Sequence, residues 1–146
     1  MHSPKRTYGD MESVCGRSSA KHLWKIIMND SNTTIKDLKD KINIFVSERK
    51  WDQFHSPKNV SMALAAEAAE LMEIFLWVES KDSRAQLEKY RQDVEHEIAD
   101  VIFAAFCFCL ENNIDISSAL QNKMKKMVQK YPVDFVKEKH LKYPHE

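Results

Sequence analysis

The stretch that decides the fold is ALAAEAAELMEIF, residues 63–75, which sets acidic side chains at three-residue intervals in an apolar run. A helix would project Glu67 and Glu70 from one face, about 60° apart. The neighbouring Ala, Leu and Ile residues have the spacing of a face that packs into a core. Since a buried ionised carboxylate is costly unless it is paired or bound to a metal ion, this helix is predicted to carry functional acids.

A second stretch, VEHEIADVIFAAF at residues 94–106, repeats the arrangement with Glu97 and Asp100. Two such pairs on facing helices would place four oxygen donors around one cavity. Donors of this kind, without His or Cys, favour Mg²⁺ or Mn²⁺ over zinc, and four negative charges match about two divalent ions. The alternative is that the acids lie on solvated faces, which is usual for a single pair. Glu73 lies further round its helix, and we expect it to support the site or to face solvent.

A di-iron centre is the competing metal site, because helical di-iron proteins also gather acids from several helices. Those proteins need two Glu-x-x-His motifs. Only the segment from Asp93 to His96 approaches that pattern here. We therefore expect His96 to lie beside the site or on the surface rather than to bind a metal ion.

The composition indicates one soluble, globular domain of 146 residues, with 43% hydrophobic and 30% charged residues. No apolar run approaches the roughly 18 to 20 residues of a membrane-spanning helix, and the first ten residues lack the apolar centre of a secretory signal. Cys107 and Cys109 lie in the apolar segment FAAFCFCL and are expected to be buried free thiols, and Cys15 lies near the N-terminus. These features predict a cytoplasmic protein without a membrane partner.

Net charge and glycine usage exclude several classes of nucleotide-binding protein. The net charge is zero, so no overall field would attract a nucleic acid polymer. Both glycines, Gly9 and Gly16, lie in the first sixteen residues. Phosphate loops and dinucleotide-binding turns need glycine, so neither is expected in the remaining chain. Any phosphate chemistry must use side chains and metal ions.

The hydrophobic pattern predicts an all-α, antiparallel bundle of four main helices without strands. We expect a flexible extension over residues 1–30, a helical domain over residues 31–132 and a tail over residues 133–146. The predicted helices begin after caps and end before polar turns. They run from Thr34 to near Lys50, from Ser56-Pro57 to about Val78, from Ser83 to about Asn112, and from Ser117 to about Lys130.

The third predicted helix bears on oligomeric state. Neither Pro nor Gly interrupts it, so it would be roughly 45 Å long at 1.5 Å per residue. A small monomer rarely buries a helix of that length, which predicts dimerisation.

The acidic motif and its surroundings resemble the MazG-like all-α nucleoside triphosphate pyrophosphohydrolases. The family motif, Glu-x-x-Glu followed by Glu-x-x-Asp, is matched by EAAE at 67–70 and EIAD at 97–100. The segments ERKWDQFHSPKN (48–59), ALAAEAAELMEIFLW (63–77) and NKMKKMVQKYP (122–132) are similar to the branch that contains dCTP pyrophosphatase. The resemblance covers about residues 34–132.

The resemblance implies hydrolysis of a (deoxy)nucleoside triphosphate to the monophosphate and pyrophosphate by a homodimer or homotetramer. It implies Mg²⁺, with Mn²⁺ as a possible substitute, bound by the four motif acids, and we take Glu70 as the candidate catalytic base. By the same resemblance, Trp51, His55 and Trp77 would line the base pocket, and Lys123, Lys130 and Tyr131 would contact phosphate. Ala104 and Met127 depart from the dCTP-preferring pattern, which has an aromatic residue and an Asn there.

The sequence therefore supports two candidate functions. The first is a Mg²⁺-dependent nucleotide pyrophosphohydrolase that removes dCTP or related, including modified, deoxynucleotides. The alternative is a non-catalytic helical dimerisation or adaptor module whose acids are structural. A Mg²⁺-dependent rise in thermal stability separates them, because a ligand that binds only the folded state stabilises it.

Overall fold

The computed structural model describes residues 27–134, and within that range it contains five α-helices and no strand. The helices are α1 (Ile35–Glu48), α2 (Pro57–Glu73), α3 (Ser83–Lys89), α4 (Arg91–Glu111) and α5 (Ile116–Lys130). The all-α prediction is confirmed. The described residues divide into two compact units, residues 27–113 and residues 114–134.

Helix α1 begins at the predicted cap. The Thr34 hydroxyl accepts a hydrogen bond from the Asp37 backbone N–H at 3.1 Å, and the Asp37 carboxylate accepts one from the Thr34 backbone N–H at 2.9 Å. This reciprocal capping box satisfies two N–H groups that a helix start otherwise leaves unpaired. The helix ends at Glu48, and Lys50 follows in the left-handed region at φ 55°.

Helix α2 also begins where the sequence predicts. The Ser56 hydroxyl accepts a hydrogen bond from the Asn59 backbone N–H at 3.1 Å, and Pro57 occupies the first helical position. Proline is favoured there because its missing N–H would have no partner in the helix. The helix ends at Glu73, earlier than predicted, and turns lead on to Trp77.

The prediction of one unbroken helix from Ser83 to about Asn112 is wrong. The helix is divided at Tyr90, which has φ −115° and ψ 30°. The Gln86 side chain donates a hydrogen bond of 2.8 Å to the Ile74 carbonyl, which anchors α3 to the end of α2. Helix α4 instead packs along α2. At about 32 Å, the 21-residue α4 no longer supports the length argument for a dimer.

The predicted caps of α3 and α5 are each displaced by one or two residues from the observed ones. Helix α3 follows Asp82 rather than being capped by Ser83, and no side-chain cap bond forms there. The cap of α5 is Asp115 rather than Ser117, and its carboxylate accepts a hydrogen bond from the Ser118 backbone N–H at 2.9 Å. Asn113 ends the preceding helix in the left-handed region, at φ 54°, which Asn tolerates better than most residues.

The core of the first unit lies where α2 and α1 pack on α4. Val46, Val60 and Cys107 form its buried centre, with Phe45 and Phe103 among the half-buried residues packed against it. Cys107 and Cys109 are buried free thiols, as predicted. The predicted interior face of residues 63–74 is only partly buried. The half-buried residues are Leu64, Leu71 and Ile74, and the exposed residues are Ala63 and Ala66.

The described part of the second unit is mainly α5. Leu120, Met124 and Val128 recur every four residues on its surface and are exposed. No acidic residue occurs in the helix, and its lysines are exposed.

The predicted extension and tail fall largely on residues 1–26 and 135–146, outside the described residues, as does Cys15, so those domain boundaries stay predictions. Across residues 27–134, no single helix has the length and apolarity to cross a membrane; only α4 and α5 counted together as a bent pair meet those criteria.

Candidate active site

Three of the four predicted motif acids gather at one place, where α2 packs along α4. Glu67, Glu70 and Glu97 each offer a carboxylate oxygen, and these oxygens all lie within 4.8 Å of one another. Helical spacing directs the first two from one face of α2, and the packing of α4 brings Glu97 to them. We call these residues the carboxylate cluster.

One oxygen of the cluster is buried without a partner. Glu97 Oε2 is the one buried side-chain oxygen or nitrogen atom in residues 27–134 that lacks a hydrogen bond. Native proteins leave few such atoms, because an unpaired buried oxygen carries the full cost of losing its water. A cation would satisfy this oxygen, so the site fits a metal ion on structural grounds as well as by donor type.

The electrostatic environment of Glu67 points the same way. Burial raises the pKa of the Glu67 carboxyl above its ordinary value, and the nearby charges of Glu70, Asp100 and Glu97 raise it further. Like charges held together favour protonation, and a bound cation would reverse that effect. The hard oxygen donors of the cluster suit Mg²⁺ or Mn²⁺.

The remaining acids and the histidine occupy less central positions. Asp100 is exposed and lies outside the three-oxygen cluster, although its charge is felt by Glu67. Glu73 is exposed at the end of α2, and His96 is exposed on α4. Neither Glu73 nor His96 belongs to the carboxylate cluster.

Trp51 lies in a short 3₁₀ turn, Trp51–Phe54, between α1 and α2. Its ring packs edge-on against Phe45 of α1, with centroids 5.6 Å apart and planes at 76°. Phe45 also meets Phe103 of α4 at 5.7 Å and 87°. Two side-chain amides brace the turn: Gln53 donates to the Lys50 carbonyl at 2.7 Å, and Asn59 donates to the Phe54 carbonyl at 3.0 Å.

The other predicted base-pocket residues are less constrained. His55 is half-buried and follows the Trp51–Phe54 turn. Trp77 lies beyond the end of α2 and is 91% exposed. An indole with so much free surface is available to a ligand or to another protein chain.

Lys123, Lys130 and Tyr131 lie on or just after α5, in the second unit. Both lysines are exposed and Tyr131 is half-buried. The Lys130 ammonium lies 5.5 Å from the centre of the Tyr131 ring, within the range of a cation–π contact.

Sequence reasoning missed the aromatic contacts that join the Trp51 turn to α4. Neither Phe45 nor Phe103 is among the residues that the sequence assigns to the site. An aromatic residue six positions before Trp51 and another three positions after Asp100 were the available signals, but neither shows that the two rings meet.

Comparisons with known proteins found a matching family model and similar proteins. The MazG-like family model matches residues 62–144. Mouse dCTP pyrophosphatase 1 is 31% identical over 112 residues, which are 75% of this chain and 66% of that protein. The bovine protein of the same name is 30% identical over 115 residues, 77% of this chain and 68% of the relative. The chain thus spans about two thirds of the length of these relatives.

A solved structure is also similar. A pyrophosphatase from Archaeoglobus fulgidus DSM 4304 is 35% identical, with a TM-score of 0.66 over 74% of this chain and 99% of the other. The matched family model covers more than half of this chain and includes all four motif acids. The resemblance seen in the sequence is confirmed, and this chain belongs to the MazG-like family.

Proposed function

We propose that this protein is a nucleotide pyrophosphohydrolase that cleaves a (deoxy)nucleoside triphosphate to the monophosphate and pyrophosphate. The observation that carries the proposal is the carboxylate cluster, with its unpaired buried oxygen on Glu97. The mouse and bovine relatives are named for dCTP, and the archaeal neighbour is named a pyrophosphatase. A related or modified deoxycytidine nucleotide is accordingly the proposed substrate.

The residues divide the chemistry between binding and proton transfer. Glu67 and Glu97 are the less exposed members of the cluster and would hold the ion, together with Asp100 and Glu70. Bound Mg²⁺, or Mn²⁺ in its place, would offset negative charge on the phosphate oxygens and make a coordinated water more acidic. Glu70 is the exposed member of the cluster, so its carboxylate has access to solvent water.

In the proposed reaction, a water oxygen attacks the α-phosphorus and the bond from that phosphorus to the α–β bridging oxygen breaks. Glu70 accepts the proton from the attacking water. The nucleoside monophosphate keeps the α-phosphorus, and pyrophosphate leaves with the bridging oxygen. Trp51, Trp77 and His55 are the proposed base contacts, and Lys123, Lys130 and Tyr131 are the proposed phosphate contacts.

The activity is tested by incubating the purified chain with dCTP and Mg²⁺ and measuring pyrophosphate and dCMP. E70Q and D100N should each abolish product formation while far-UV circular dichroism stays unchanged. E73Q is the matched control, since Glu73 lies on the same helix but outside the carboxylate cluster. Unchanged turnover in E70Q or D100N would refute the assignment of that residue, and no turnover of any nucleoside triphosphate by the wild type would refute the function.

A homodimer or homotetramer is part of the proposal. Ile98 and Ile102 are exposed one helical turn apart on α4. Exposed large apolar side chains near one another mark a protein interface more often than a free surface. The cytoplasm is the proposed compartment, because the two described cysteines are free thiols.

Self-association is tested with I102K by size-exclusion chromatography coupled to light scattering. The wild type should elute as an oligomer and I102K as a smaller species. I35K is the matched control, because Ile35 is 44% exposed and Ile102 is 47% exposed, but Ile35 is the first residue of α1 rather than part of α4. A monomeric wild type, or equal dissociation by I35K, would contradict this interface.

A further inference from the structure

The described residues of the first unit contain a continuous set of aromatic contacts from the Trp51 turn to α4. Phe45 lies in the middle, packed edge-on against Trp51 on one side and Phe103 on the other. The Arg49 guanidinium carbon lies 3.6 Å from the centre of the Phe45 ring, and Arg49 donates a hydrogen bond of 3.0 Å to the Phe45 carbonyl. Phe45 therefore contacts Arg49 and Trp51, four and six residues later in the sequence, and Phe103 on α4.

Trp51 has the exposure that a stacking surface requires. A ring that stacks on a base must be fixed on one side and free on another. Trp51 packs against Phe45 yet remains 44% exposed. Trp77 is 91% exposed and makes no ring contact with residues 27–134, so no aromatic contact in that part of the chain holds its ring.

The aromatic contacts end at Phe103, close to the proposed metal ligands on α4. Phe103 lies one helical turn after Asp100 on α4, which also carries Glu97. Phe45 thus connects the Trp51 ring to the helix that supplies two of the proposed metal ligands. Edge-to-face aromatic pairs are directional, so they set relative orientation as well as adding stability.

We propose that Phe45 is a positioning residue that holds the Trp51 ring at a set place relative to the carboxylate cluster, so that a stacked nucleobase delivers its α-phosphate to the proposed metal site. This inference rests on the proposed function. Phe45 does not touch substrate, and it acts through Trp51. Its removal should weaken recognition of the base without weakening recognition of the triphosphate.

The test compares F45L with the wild type on two substrates, dCTP and 2-deoxyribose 5-triphosphate, which has no base. F45L should raise the KM for dCTP about tenfold, a value within the range expected from loss of base stacking, with kcat within about twofold. The KM for the base-free triphosphate should not change. Isothermal titration calorimetry should show that F45L binds dCTP with an imido group in the α–β bridge more weakly than the wild type does, by a similar factor.

The matched control is F108L, because Phe108 is a half-buried aromatic residue of the same core cluster and makes no ring contact with Trp51. It should reduce thermal stability as F45L does and leave both KM values unchanged. The double variant F45L/W51A should have the KM of W51A alone, since both changes remove one stacking surface. If F45L does not fold, F103L carries the same expectation, because it removes the ring on the other side of Phe45.

Several results would overturn the proposed role of Phe45. An equal rise in KM for both substrates, an equal effect of F108L, or additive effects of F45L and W51A would assign Phe45 to general stability and overturn the proposal. Normal cleavage of dCTP with an unchanged KM in F45L would overturn it while leaving the proposed function intact. A wild-type protein that neither binds the imido analogue nor cleaves dCTP or any other nucleoside triphosphate would overturn both.

Discussion

Replacement of Glu70 by Gln should stabilise the metal-free protein. The oxygens of the carboxylate cluster lie within 4.8 Å of one another, and two unit charges at that distance repel by about 0.9 kcal/mol in a water-like medium and about 3.5 kcal/mol at an effective dielectric of about 20. Glu70 is exposed, so the lower value applies to its two repulsions. E70Q should gain about 1–2 kcal/mol, or roughly 2–8 °C in Tm for a chain of this size.

Magnesium should narrow the difference in stability between the two proteins. At about 100 times its dissociation constant, Mg²⁺ bound only to the folded state would stabilise the wild type by about 2.7 kcal/mol. E70Q lacks one ligand charge, so its Mg²⁺-dependent gain should fall below half of that. The assay is thermal unfolding followed by circular dichroism, with EDTA and then with a Mg²⁺ titration.

E73Q is the control for both conditions, because it removes one exposed acid from the same helix without touching the carboxylate cluster. It should unfold like the wild type with EDTA and respond like the wild type to Mg²⁺. A lower Tm for E70Q in EDTA, a Mg²⁺ response equal to that of the wild type, or an equal stabilisation by E73Q would refute the reasoning.

Three other predictions follow from local features of the first unit. Burial and neighbouring carboxylates raise the folded-state pKa of Glu67 above 4.5. Protonated Glu67 therefore stabilises the fold, and this stabilisation is complete below the unfolded pKa and is lost as the pH rises through the folded pKa. In urea titrations with EDTA, E67Q should therefore gain stability relative to the wild type as the pH rises above 4.5, and a difference that stays constant with pH would contradict this. Burial raises the pKa of the Cys107 thiol to about 11, so iodoacetamide at about pH 8 should label it much more slowly in the native protein than in urea, as measured by peptide mass spectrometry. S56A should lower stability by about 1 kcal/mol, because the Ser56 hydroxyl caps the Asn59 N–H, whereas S61A, which removes no cap, should have a smaller effect on the urea midpoint.

The sequence predicted those parts of the fold that depend on neighbouring residues. Thr34 and Ser56 each accept a hydrogen bond from the backbone three positions later, so residue type and spacing were enough to locate both caps. The break at Tyr90 had no such signal. Its anchor is the bond from Gln86 to the Ile74 carbonyl, which spans twelve residues and forms only after α2 and α3 have met.

In the candidate site, too, the features that depend on local spacing could be predicted, and those that depend on helix packing could not. The spacing of Glu67 and Glu70 within one helix predicted that they share a face, and the cost of burying acids indicated that Glu97 would join them. The aromatic contacts of Phe45 depend on how α1 lies against α4, and a hydrophobic pattern does not specify which ring meets which. The exposure of Asp100 likewise depends on side-chain direction rather than on spacing.

Metal binding and self-association should be coupled, because the proposed metal ligands and the proposed interface both include residues of α4. The exposed Ile98 and Ile102 lie two residues before and two residues after Asp100, on the helix that also carries Glu97. An association that buries this face would restrict α4 and reduce the freedom that its carboxylates lose when a cation binds.

Mg²⁺ should therefore tighten association, and association should tighten Mg²⁺ binding by the same factor. The wild type should show a Mg²⁺-dependent rise in Tm that shrinks over about a hundredfold dilution of the protein, toward the rise seen in I102K at every concentration. I35K, with a similarly exposed isoleucine on α1, should behave as the wild type does. A Mg²⁺ response in the wild type that is independent of protein concentration would mean that the carboxylate cluster is complete within one chain.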